Sequence, residues 1–462
     1  MAFVGGGKSV MASRSHWPSA EVLRHPILIT GWMLEKNRRR AHRHVYPADG
    51  SVTCEMQLAS IDDLENAIMA ARAAFPAWRA LTGDKRRDLM LKMAAGIERH
   101  AEDLVELSIL ENGCPASAAS YSTADAARKF RYFAGRADRI PGESSGAWSG
   151  PAHNDMTHEP AGVLGAVISW NGPLSAASAV LPPALAAGNC IVLKMSKLAP
   201  FSVMRLGRMF MEAGFPPGVV NMLAGESDID RALARHPGVD RIQFAGRRST
   251  AKQVRRAAED SVKPCGLDLD GRSTVVVFAD ADLEDAAKGG LSAVMSGSGH
   301  GLANGARLLV ERPVYEPYLQ ALQAIAATIE VGDPRDPTTV IGPVISKAVL
   351  QRILGVIQTA VTREGARLVM GGERLDGKYA DGFYLPLTII ADVDPGAALA
   401  QSELLGPVLT VTAFDTEEEA IALANGASCG LSAHIYTQSL HRAQSVATRM
   451  KVRMAGASPD GH

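Results

Sequence analysis

Three short segments of the chain contain side chains that could take part in chemistry on a carbonyl group. Asn171 carries an amide directly after the apolar run 163–168, Asp268 carries a carboxylate in segment 267–272, and His300 carries an imidazole in segment 299–307. Leu302 stands two residues after His300, and a leucine has no lone pair with which to attack a carbonyl carbon. These segments therefore offer polar groups without a nucleophile among them.

The sequence around these residues contains many short motifs in a fixed order. They include EPAGVLGAVISWNGP at 159–173, GNCIVLK at 188–194, PGVVN at 217–221, IGP at 341–343 and ELLGPV at 403–408. From about residue 27 to about residue 454 their order and spacing resemble the NAD(P)-dependent aldehyde dehydrogenase superfamily. The resemblance implies an α/β fold with a Rossmann-type dinucleotide-binding domain and a second α/β catalytic domain.

In that family, segment 299–307 carries the cysteine that forms a thiohemiacetal with the aldehyde. Alignment on Gly299 and Arg307 puts Leu302 at the cysteine position and His300 at the position of a glutamine. Cys190 lies within a strand of the other domain, and strand alternation points Cys265 away from Asp268, so neither thiol replaces the missing one. The resemblance therefore implies a divergent member without the family's nucleophile.

The resemblance also assigns the other catalytic positions. Asn171 matches the amide of the oxyanion hole, although an asparagine after a strand also favours an Asx turn. Asp268 occupies the position of the general base, where a glutamate would reach further by about one bond, roughly 1.5 Å. Asp270 replaces a glycine and adds charge. His300 is the titratable group beside Leu302, and a loop histidine is often structural or solvated. No metal ligand is expected.

A bound dinucleotide, NADP or NAD, is the cofactor that the resemblance implies. Lys194 matches the lysine that binds the adenosine ribose, and Lys197 replaces the glutamate that accepts hydrogen bonds from the ribose hydroxyls. An ammonium cannot accept such bonds but attracts a 2′-phosphate, which favours NADP.

The remaining cofactor positions surround the phosphates and the nicotinamide ribose. Arg247 follows the glycine of the phosphate turn and either clamps the phosphates or fills their space. Glu403 matches the glutamate that holds the nicotinamide ribose, and Leu405 replaces a phenylalanine near the ring. Further contacts are assigned to Ser169, Trp170, Gly225 and Gly246.

Composition excludes several other classes of protein. The formal net charge is -1 and the sequence pI is about 6.9, so no overall field attracts nucleic acid or an anionic membrane. Five cysteines without C-x-x-C spacing indicate reduced thiols and a cytoplasmic location. No apolar stretch reaches eighteen residues, so no membrane span is expected.

Alternation of apolar runs with helical stretches predicts two α/β units. The expected boundaries are 1–139 with 158–264 for the dinucleotide-binding domain and 265–448 for the catalytic-type domain. Segment 140–157 is expected to form an oligomerisation hairpin, and 449–462 a truncated C-terminal segment. Within the first unit, Ser60 is expected to cap a helix ending near Leu81, and a second helix is expected from near Asp84 to Glu111.

The C-terminal segment departs from the family pattern. The family continues with several tens of further residues, including a strand that pairs with a neighbouring subunit. The chain keeps a helix near 250–260 that the family uses for dimerisation, which predicts a homodimer or a monomer.

These observations leave three interpretations of the function. The first is an NAD(P)-binding, aldehyde dehydrogenase-like protein that cannot run the thioester cycle. The second is an oxidoreductase that takes hydride directly from an aldehyde hydrate or a cyclic hemiacetal, with Asp268 or His300 as the base. The third is aldehyde oxidation by another route. In each case the expected ligand is a small aldehyde or hemiacetal.

Overall fold

The structure is a computed structural model that describes residues 27–33, 40–145, 154–269, 271–301, 306–427 and 430–458. Asp270, Leu302 and Cys429 lie outside the described residues. The described residues form two seven-stranded sheets and two separate two-stranded hairpins. Helices alternate with most of the strands along the chain, which is the order expected of an α/β fold.

The elements are numbered here in chain order. The strands are β1 (Ile27–Ile29), β2 (Trp32–Met33), β3 (Ala41–Val45), β4 (Val52–Gln57), β5 (Glu143–Ser145), β6 (Asn154–Met156), β7 (Val163–Val167), β8 (Cys190–Ser196), β9 (Val220–Gly225), β10 (Arg241–Gly246), β11 (Cys265–Leu269), β12 (Thr274–Val277), β13 (Arg307–Glu311), β14 (Arg367–Met370), β15 (Thr388–Ala391), β16 (Val408–Phe414), β17 (Ser432–Tyr436) and β18 (Met454–Ser458). The α-helices are α1 (Ile61–Ala80), α2 (Gly83–Arg99), α3 (Ala101–Asn112), α4 (Ala116–Ala134), α5 (Pro173–Ala186), α6 (Phe201–Glu212), α7 (Ser227–Arg235), α8 (Arg248–Glu259), α9 (Leu283–Met295), α10 (Tyr315–Ala326), α11 (Lys347–Arg363), α12 (Ala398–Gln401), α13 (Glu417–Asn425) and α14 (Leu440–Arg449).

The first sheet has the strand order β11-β10-β7-β8-β9-β1-β2. Strands β7 to β11 run parallel, and β1 joins β9 in antiparallel orientation. Strands β7, β8 and β9 are almost fully buried, which explains why their sequences are nearly continuous apolar runs. The carboxyl ends of the parallel strands therefore share one edge of the sheet, where ligands bind in folds of this kind.

Helices α1 to α3 show where local sequence signals succeed and where they fail. Ser60 caps α1 through a capping box with Asp63, as the sequence predicts. The single helix expected from Asp84 to Glu111 is wrong: α2 ends at Arg99 and α3 begins at Ala101, because His100 between them leaves helical geometry with φ -109° and ψ 28°. Neither Gly nor Pro marks this break, so the apolar pattern continues across it.

The second sheet has the strand order β14-β15-β16-β13-β12-β17-β18 and is parallel except for the β14–β15 pair. Strands β12 and β13 lie at its centre and contribute buried valines and leucines to the cores on its two faces. This sheet carries segment 296–301, which contains His300, between α9 and β13.

Two strands fall outside the units predicted for them. The second unit is expected to begin at residue 265, but β11 pairs in parallel with β10 and forms the edge of the first sheet. Residues 449–462 are expected to be a truncated C-terminal segment outside the unit 265–448, but β18 pairs in parallel with β17 and forms the edge of the second sheet. Membership of a sheet depends on partners distant in sequence, so the composition of a strand alone does not reveal it.

The remaining described features concern the hairpins and the surface. Strands β5 and β6 pair in antiparallel orientation within segment 140–157, and β3 pairs with β4. Among the described helices, none combines the length and the apolar character needed to cross a membrane. Among the described cysteines, Cys114, Cys190 and Cys265 are free thiols.

Candidate active site

A cavity of about 1580 Å³ is lined by residues from both sheets and from the helices next to them. Asn171, Asp268 and His300, which were singled out from the sequence, all line it. The volume exceeds the roughly 300–1,000 Å³ of a typical small-molecule pocket, so the cavity has room for a ligand and for water. The chain therefore brings the amide, the carboxylate and the imidazole to one place.

Asn171 lies in the turn between β7 and α5 and is buried. Its Nδ2 donates a hydrogen bond of 3.1 Å to the carbonyl oxygen of His300. The carbonyl of Trp170 accepts a bond of 3.4 Å from Asn112 Nδ2, which ties the same turn to the end of α3. An amide nitrogen carries two hydrogens, so the bond to His300 uses one of them and the other can serve a ligand.

The backbone just before His300 is strained. Gly297, Ser298 and Gly299 all have positive φ angles, of 56°, 62° and 78°. A left-handed serine costs free energy and persists where its surroundings hold it. Here the buried Ser298 hydroxyl accepts a bond of 2.8 Å from the backbone N–H of Gly342, and Gly299 lies against the backbone of Gly406. These contacts fix the direction in which His300 leaves the turn.

His300 is buried and its ring lies edge-on to the ring of Trp170, with centroids 5.1 Å apart. Burial lowers the pKa of His300 to about 4, so the imidazole is neutral at pH 7. Within the described residues, neither ring nitrogen has a hydrogen-bond partner. A buried polar group without a partner is costly, and a ligand in the cavity could supply one.

Asp268 lies on β11, at the edge of the first sheet, and is engaged by a cation. Its Oδ1 is 3.1 Å from Nη1 of Arg453, just before β18, and Arg453 Nη2 donates a bond of 3.2 Å to the carbonyl of Leu267. Both side chains are well exposed. The ion pair joins the edges of the two sheets and occupies the carboxylate that the resemblance assigns as the general base.

Cys114 is a cavity residue that the sequence reasoning missed. The run Asn112-Gly113-Cys114-Pro115 reads as a helix stop, and Gly113 indeed ends α3 with a φ of 70°. The same turn places the Cys114 thiol on the cavity wall. Burial and the nearby Glu111 raise the pKa of this thiol to about 12, so it is protonated at pH 7. A protonated thiol is a poor nucleophile.

The other two cysteines weighed as substitutes do not line the cavity. Cys190 is buried in β8, where burial raises its pKa to about 12, and Cys265 begins β11 with its sulfur 3.6 Å from the Lys263 carbonyl. The position of Leu302 itself lies outside the described residues, although His300 and Gly301 just before it line the cavity.

Lys194, at the carboxyl end of the first sheet, is buried in an ion pair. Its Nζ lies 2.7 Å from Oδ1 of Asp230 in α7, and both side chains are less than a tenth exposed. Burial raises the pKa of Asp230, and the ammonium of Lys194 opposes that shift. The sequence reasoning assigned Lys194 to a ribose without foreseeing this partner.

Lys197 is also paired. Its Nζ lies 2.6 Å from Oε1 of Glu226, and each side chain is about one-third exposed or less. The two residues follow directly after β8 and β9, which are neighbouring parallel strands with Ser196 opposite Gly225. Glu226 was not among the residues singled out from the sequence.

Two glycines allow close packing of side chains at the same edge of the first sheet. Gly246 ends β10 with a φ of 148°, and a Cβ built there would lie 3.3 Å from the Phe244 ring and 3.5 Å from Cβ of Ser169. A Cβ built on Gly225 at the end of β9 would lie 2.9 Å from Ile229. Helix α8 begins directly after Gly246 and Arg247, so its N-terminal N–H groups face this edge. We call this edge, with Gly225, Gly246 and the start of α8, the cradle, and the resemblance assigns a dinucleotide phosphate to it.

Arginines surround Glu403 on the other side of the cradle. Arg352 Nη1 donates a bond of 3.1 Å to the carbonyl of Glu403, and Arg272 donates to the carbonyls of Leu399 and Ala400. Burial and then the neighbouring Arg247 lower the pKa of Arg352. Arg247 and Arg352 therefore lie close enough to repel each other, and an anion between them would relieve that repulsion.

Trp170 and Leu405 pack together beside this group. They form a small buried cluster with Ala199 and Ile345. Leu405 has a positive φ of 55°, an unusual conformation for a leucine, which fixes the turn that follows Glu403. Trp170 also contacts the His300 ring, so the cluster borders the cavity wall.

The sequence profile of the aldehyde dehydrogenase family matches residues 32–457. The chain is 35% identical to human retinal dehydrogenase 2 over 440 residues, which cover 94% of this chain and 84% of that protein. It is 33% identical to a betaine aldehyde dehydrogenase of Vibrio vulnificus over 402 residues, or 87% and 82% of the two chains. This chain belongs to the aldehyde dehydrogenase family.

A crystal structure of betaine aldehyde dehydrogenase from Staphylococcus aureus in complex with NAD+ has the same fold. Its TM-score against this chain is 0.91 at 31% identity, and the match covers 95% of this chain and 88% of that one. The predicted fold class is therefore confirmed, with mainly parallel sheets and alternating helices.

Proposed function

We propose that this chain is an NAD(P)-binding member of the aldehyde dehydrogenase family that holds a small carbonyl compound without forming a thiohemiacetal. The observation that carries the proposal is Leu302, which the motif alignment puts at the position of the family's nucleophilic cysteine. A hydrocarbon side chain cannot add to a carbonyl, so the covalent step has no nucleophile at that position.

Two features of the cavity support this reading. The carboxylate of Asp268 pairs with Arg453 and would have to leave that cation before it could accept a proton from water. Cys114 lines the cavity, but its pKa of about 12 leaves almost no thiolate at neutral pH. Base and thiol are therefore both unsuited to thioester chemistry in their present surroundings.

Several groups that could bind ligands lie around the cavity and the cradle. The N-terminal N–H groups of α8 and the positive charges of Arg247 and Arg352 can bind the phosphates of a dinucleotide. When bound, the nicotinamide supplies a hydride acceptor. The free N–H of Asn171 and the neutral imidazole of His300 offer a donor and an acceptor to a carbonyl compound or its hydrate.

The test combines binding with turnover. Purified protein is titrated with NAD+ and NADP+ by intrinsic fluorescence, and aldehyde-dependent reduction is then followed by absorbance. Binding of a dinucleotide with background aldehyde oxidation and background esterase activity is the expected result. Rapid aldehyde-dependent reduction by the unmodified protein would sink the proposal, and so would failure to bind either dinucleotide.

A second candidate function is direct hydride transfer from an aldehyde hydrate or a lactol. The buried His300 ring, which has no partner within the described residues, favours it. In that step His300 takes the proton of one hydroxyl, the C–H electron pair leaves as hydride to the cofactor, and the oxygen electrons close the new C=O bond. The products are a carboxylic acid or a lactone, the reduced cofactor and one proton.

This candidate makes a distinct prediction for pH. With a pKa of about 4, His300 is already the free base above roughly pH 5, so the rate should be flat from there to neutral pH. His300→Gln should abolish the activity and leave dinucleotide binding unchanged, and His441→Gln, at an exposed histidine, is the matched control. Activity that survives His300→Gln would rule out this role.

A further inference from the structure

The end of the dinucleotide cradle next to β8 and β9 holds a matched pair of opposite charges. Lys197 follows β8 and Glu226 follows β9, and the strand register sets Ser196 opposite Gly225. The two side chains therefore leave the sheet side by side, with Nζ and Oε1 2.6 Å apart. This edge is where the adenosine half of a dinucleotide would lie in a sheet of this kind.

Both lysines at this edge are paired with carboxylates. The buried ammonium of Lys194 is 2.7 Å from Asp230. His42 faces the Lys197–Glu226 pair, and burial followed by the charge of Lys197 lowers its pKa, so its ring is neutral at pH 7. Each of the two lysines expected to attract a phosphate thus already faces a carboxylate.

The start of α7 adds further negative charge. Glu226 is its N-cap residue, and Asp228 and Asp230 lie in its first turn. Asp228 Oδ1 accepts a bond of 2.9 Å from the backbone N–H of Ile229. The positive end of this helix, which could otherwise bind an anion, is therefore occupied by side chains of its own.

We infer that Glu226 selects NAD+ over NADP+. Its carboxylate accepts hydrogen bonds from the adenosine ribose hydroxyls, the role that Lys197 cannot perform, and it repels a 2′-phosphate. The inference rests on the proposed dinucleotide binding. It also reverses the NADP preference expected from Lys197 alone, since that expectation did not include the partner 29 residues away.

The short distance between Lys197 and Glu226 would bring a 2′-phosphate bound to Lys197 close to the Glu226 carboxylate. A 2′-phosphate oxygen bonded to Lys197 Nζ at the usual length of about 2.8 Å would lie within about 5.5 Å of the carboxylate oxygen that holds the same nitrogen. The phosphate would have to displace Glu226 or share the ammonium with it. A ribose hydroxyl avoids that conflict because it can donate to Glu226 and accept from Lys197 at once.

The test measures dissociation constants for NAD+ and NADP+ by calorimetry or fluorescence, without turnover. The unmodified protein should bind NAD+ at least about tenfold more tightly, the effect of one hydrogen bond to a charged group. Glu226→Gln should weaken NAD+ binding, tighten NADP+ binding and bring the two constants to within roughly threefold. Glu284→Gln breaks a lysine–glutamate pair of the same 2.6 Å length in α9 and should change neither constant.

The outcomes separate this inference from the proposed function. NADP+ binding as tight as NAD+ binding in the unmodified protein would overturn the role of Glu226 and leave dinucleotide binding intact. An unchanged preference in a folded Glu226→Gln variant would do the same. If neither dinucleotide binds, both the inference and the proposed function fail.

Discussion

Arg453 determines what the carboxylate of Asp268 can do. A carboxylate held by a guanidinium points towards the cation instead of towards a water molecule. The contact joins residues 185 positions apart. Restoring the nucleophile alone therefore leaves the general base engaged.

The first prediction follows from that contact. Leu302→Cys alone should show near-background aldehyde oxidation, and adding Arg453→Thr should raise the rate by at least about tenfold, since a working general base contributes about 10²–10⁴. Aldehyde-dependent cofactor reduction at neutral pH measures it. Arg449→Thr, near Arg453 in sequence but paired with Glu417, is the control. Equal rates with and without Arg453 would show that the ion pair is irrelevant to Asp268.

The second prediction concerns His300 and stability. Its pKa is about 4 in the folded protein and about 6.5 in an unfolded chain, so the unfolded state binds more protons between these values. Stability is therefore present above about pH 6.5 and is lost as pH falls towards 4, by up to about 3 kcal/mol. His300→Gln should reduce the fall in melting temperature between about pH 6.5 and about pH 5 by roughly 2–4 °C.

Two other buried groups also make the stability of the protein depend on pH. His44 has a pKa of about 4 for the same reason, burial, and adds a slope of the same sign. Burial raises the pKa of Glu111 to about 7, so its contribution has the opposite sign and is lost as pH rises through 7. Only the difference between His300→Gln and the unmodified protein isolates His300. An identical pH dependence in both would contradict its burial.

The third prediction concerns Cys114. Its thiol is 9% exposed and has a pKa of about 12, so iodoacetamide at about pH 7.5 should label it more slowly than the half-buried Cys54 and Cys265. Mass spectrometry of peptides after timed labelling measures the order. Labelling of Cys114 before the other two would reveal a reactive thiol in the cavity and reopen thiol catalysis.

At the scale of elements, the turn between α9 and β13 is held by close backbone packing. A Cβ on Gly299 would lie 2.2 Å from the carbonyl carbon of Gly406, and its φ is 78°. As the fourth prediction, Gly299→Ala should destabilise the protein by at least about 2 kcal/mol. Gly355→Ala, in the exposed face of α11 with open space around it, should instead stabilise by up to about 1 kcal/mol. Chemical denaturation of both variants compares them.

Local sequence predicted most of the elements but not their partners. The apolar runs of β7, β8 and β9 were readable because strands buried on both faces are continuously apolar. The break at His100 could not be read from the sequence, because no glycine or proline marks it. Local sequence also did not predict which sheets β11 and β18 join, because strand pairing depends on residues that are distant in sequence.

The sequence likewise predicted the residues of the site but not the residues that they contact. The resemblance located Asn171, Asp268 and His300, and the structure places all three around one cavity. It did not supply Arg453 beside Asp268, Asp230 beside Lys194 or Glu226 beside Lys197. These partners occupy positions without a motif of their own, and their charges become meaningful only when the fold sets them opposite a cation or an anion.

At the scale of the whole molecule, the fifth prediction concerns assembly. The chain keeps α8, which matches the helix that the family uses for dimerisation. We therefore expect a homodimer that forms through α8. Light scattering coupled to size-exclusion chromatography at several protein concentrations measures the mass, and a stable tetramer would contradict the expectation.

The Arg453–Asp268 ion pair also bears on the evolution of this chain. If the first prediction holds, thioester chemistry needs both a cysteine at 302 and release of Asp268, and neither substitution alone improves aldehyde oxidation. Selection for that activity would then find no advantage in either single substitution. A chain with both Leu302 and Arg453 would gain the reaction only through two changes together, while dinucleotide and carbonyl binding stay open to selection.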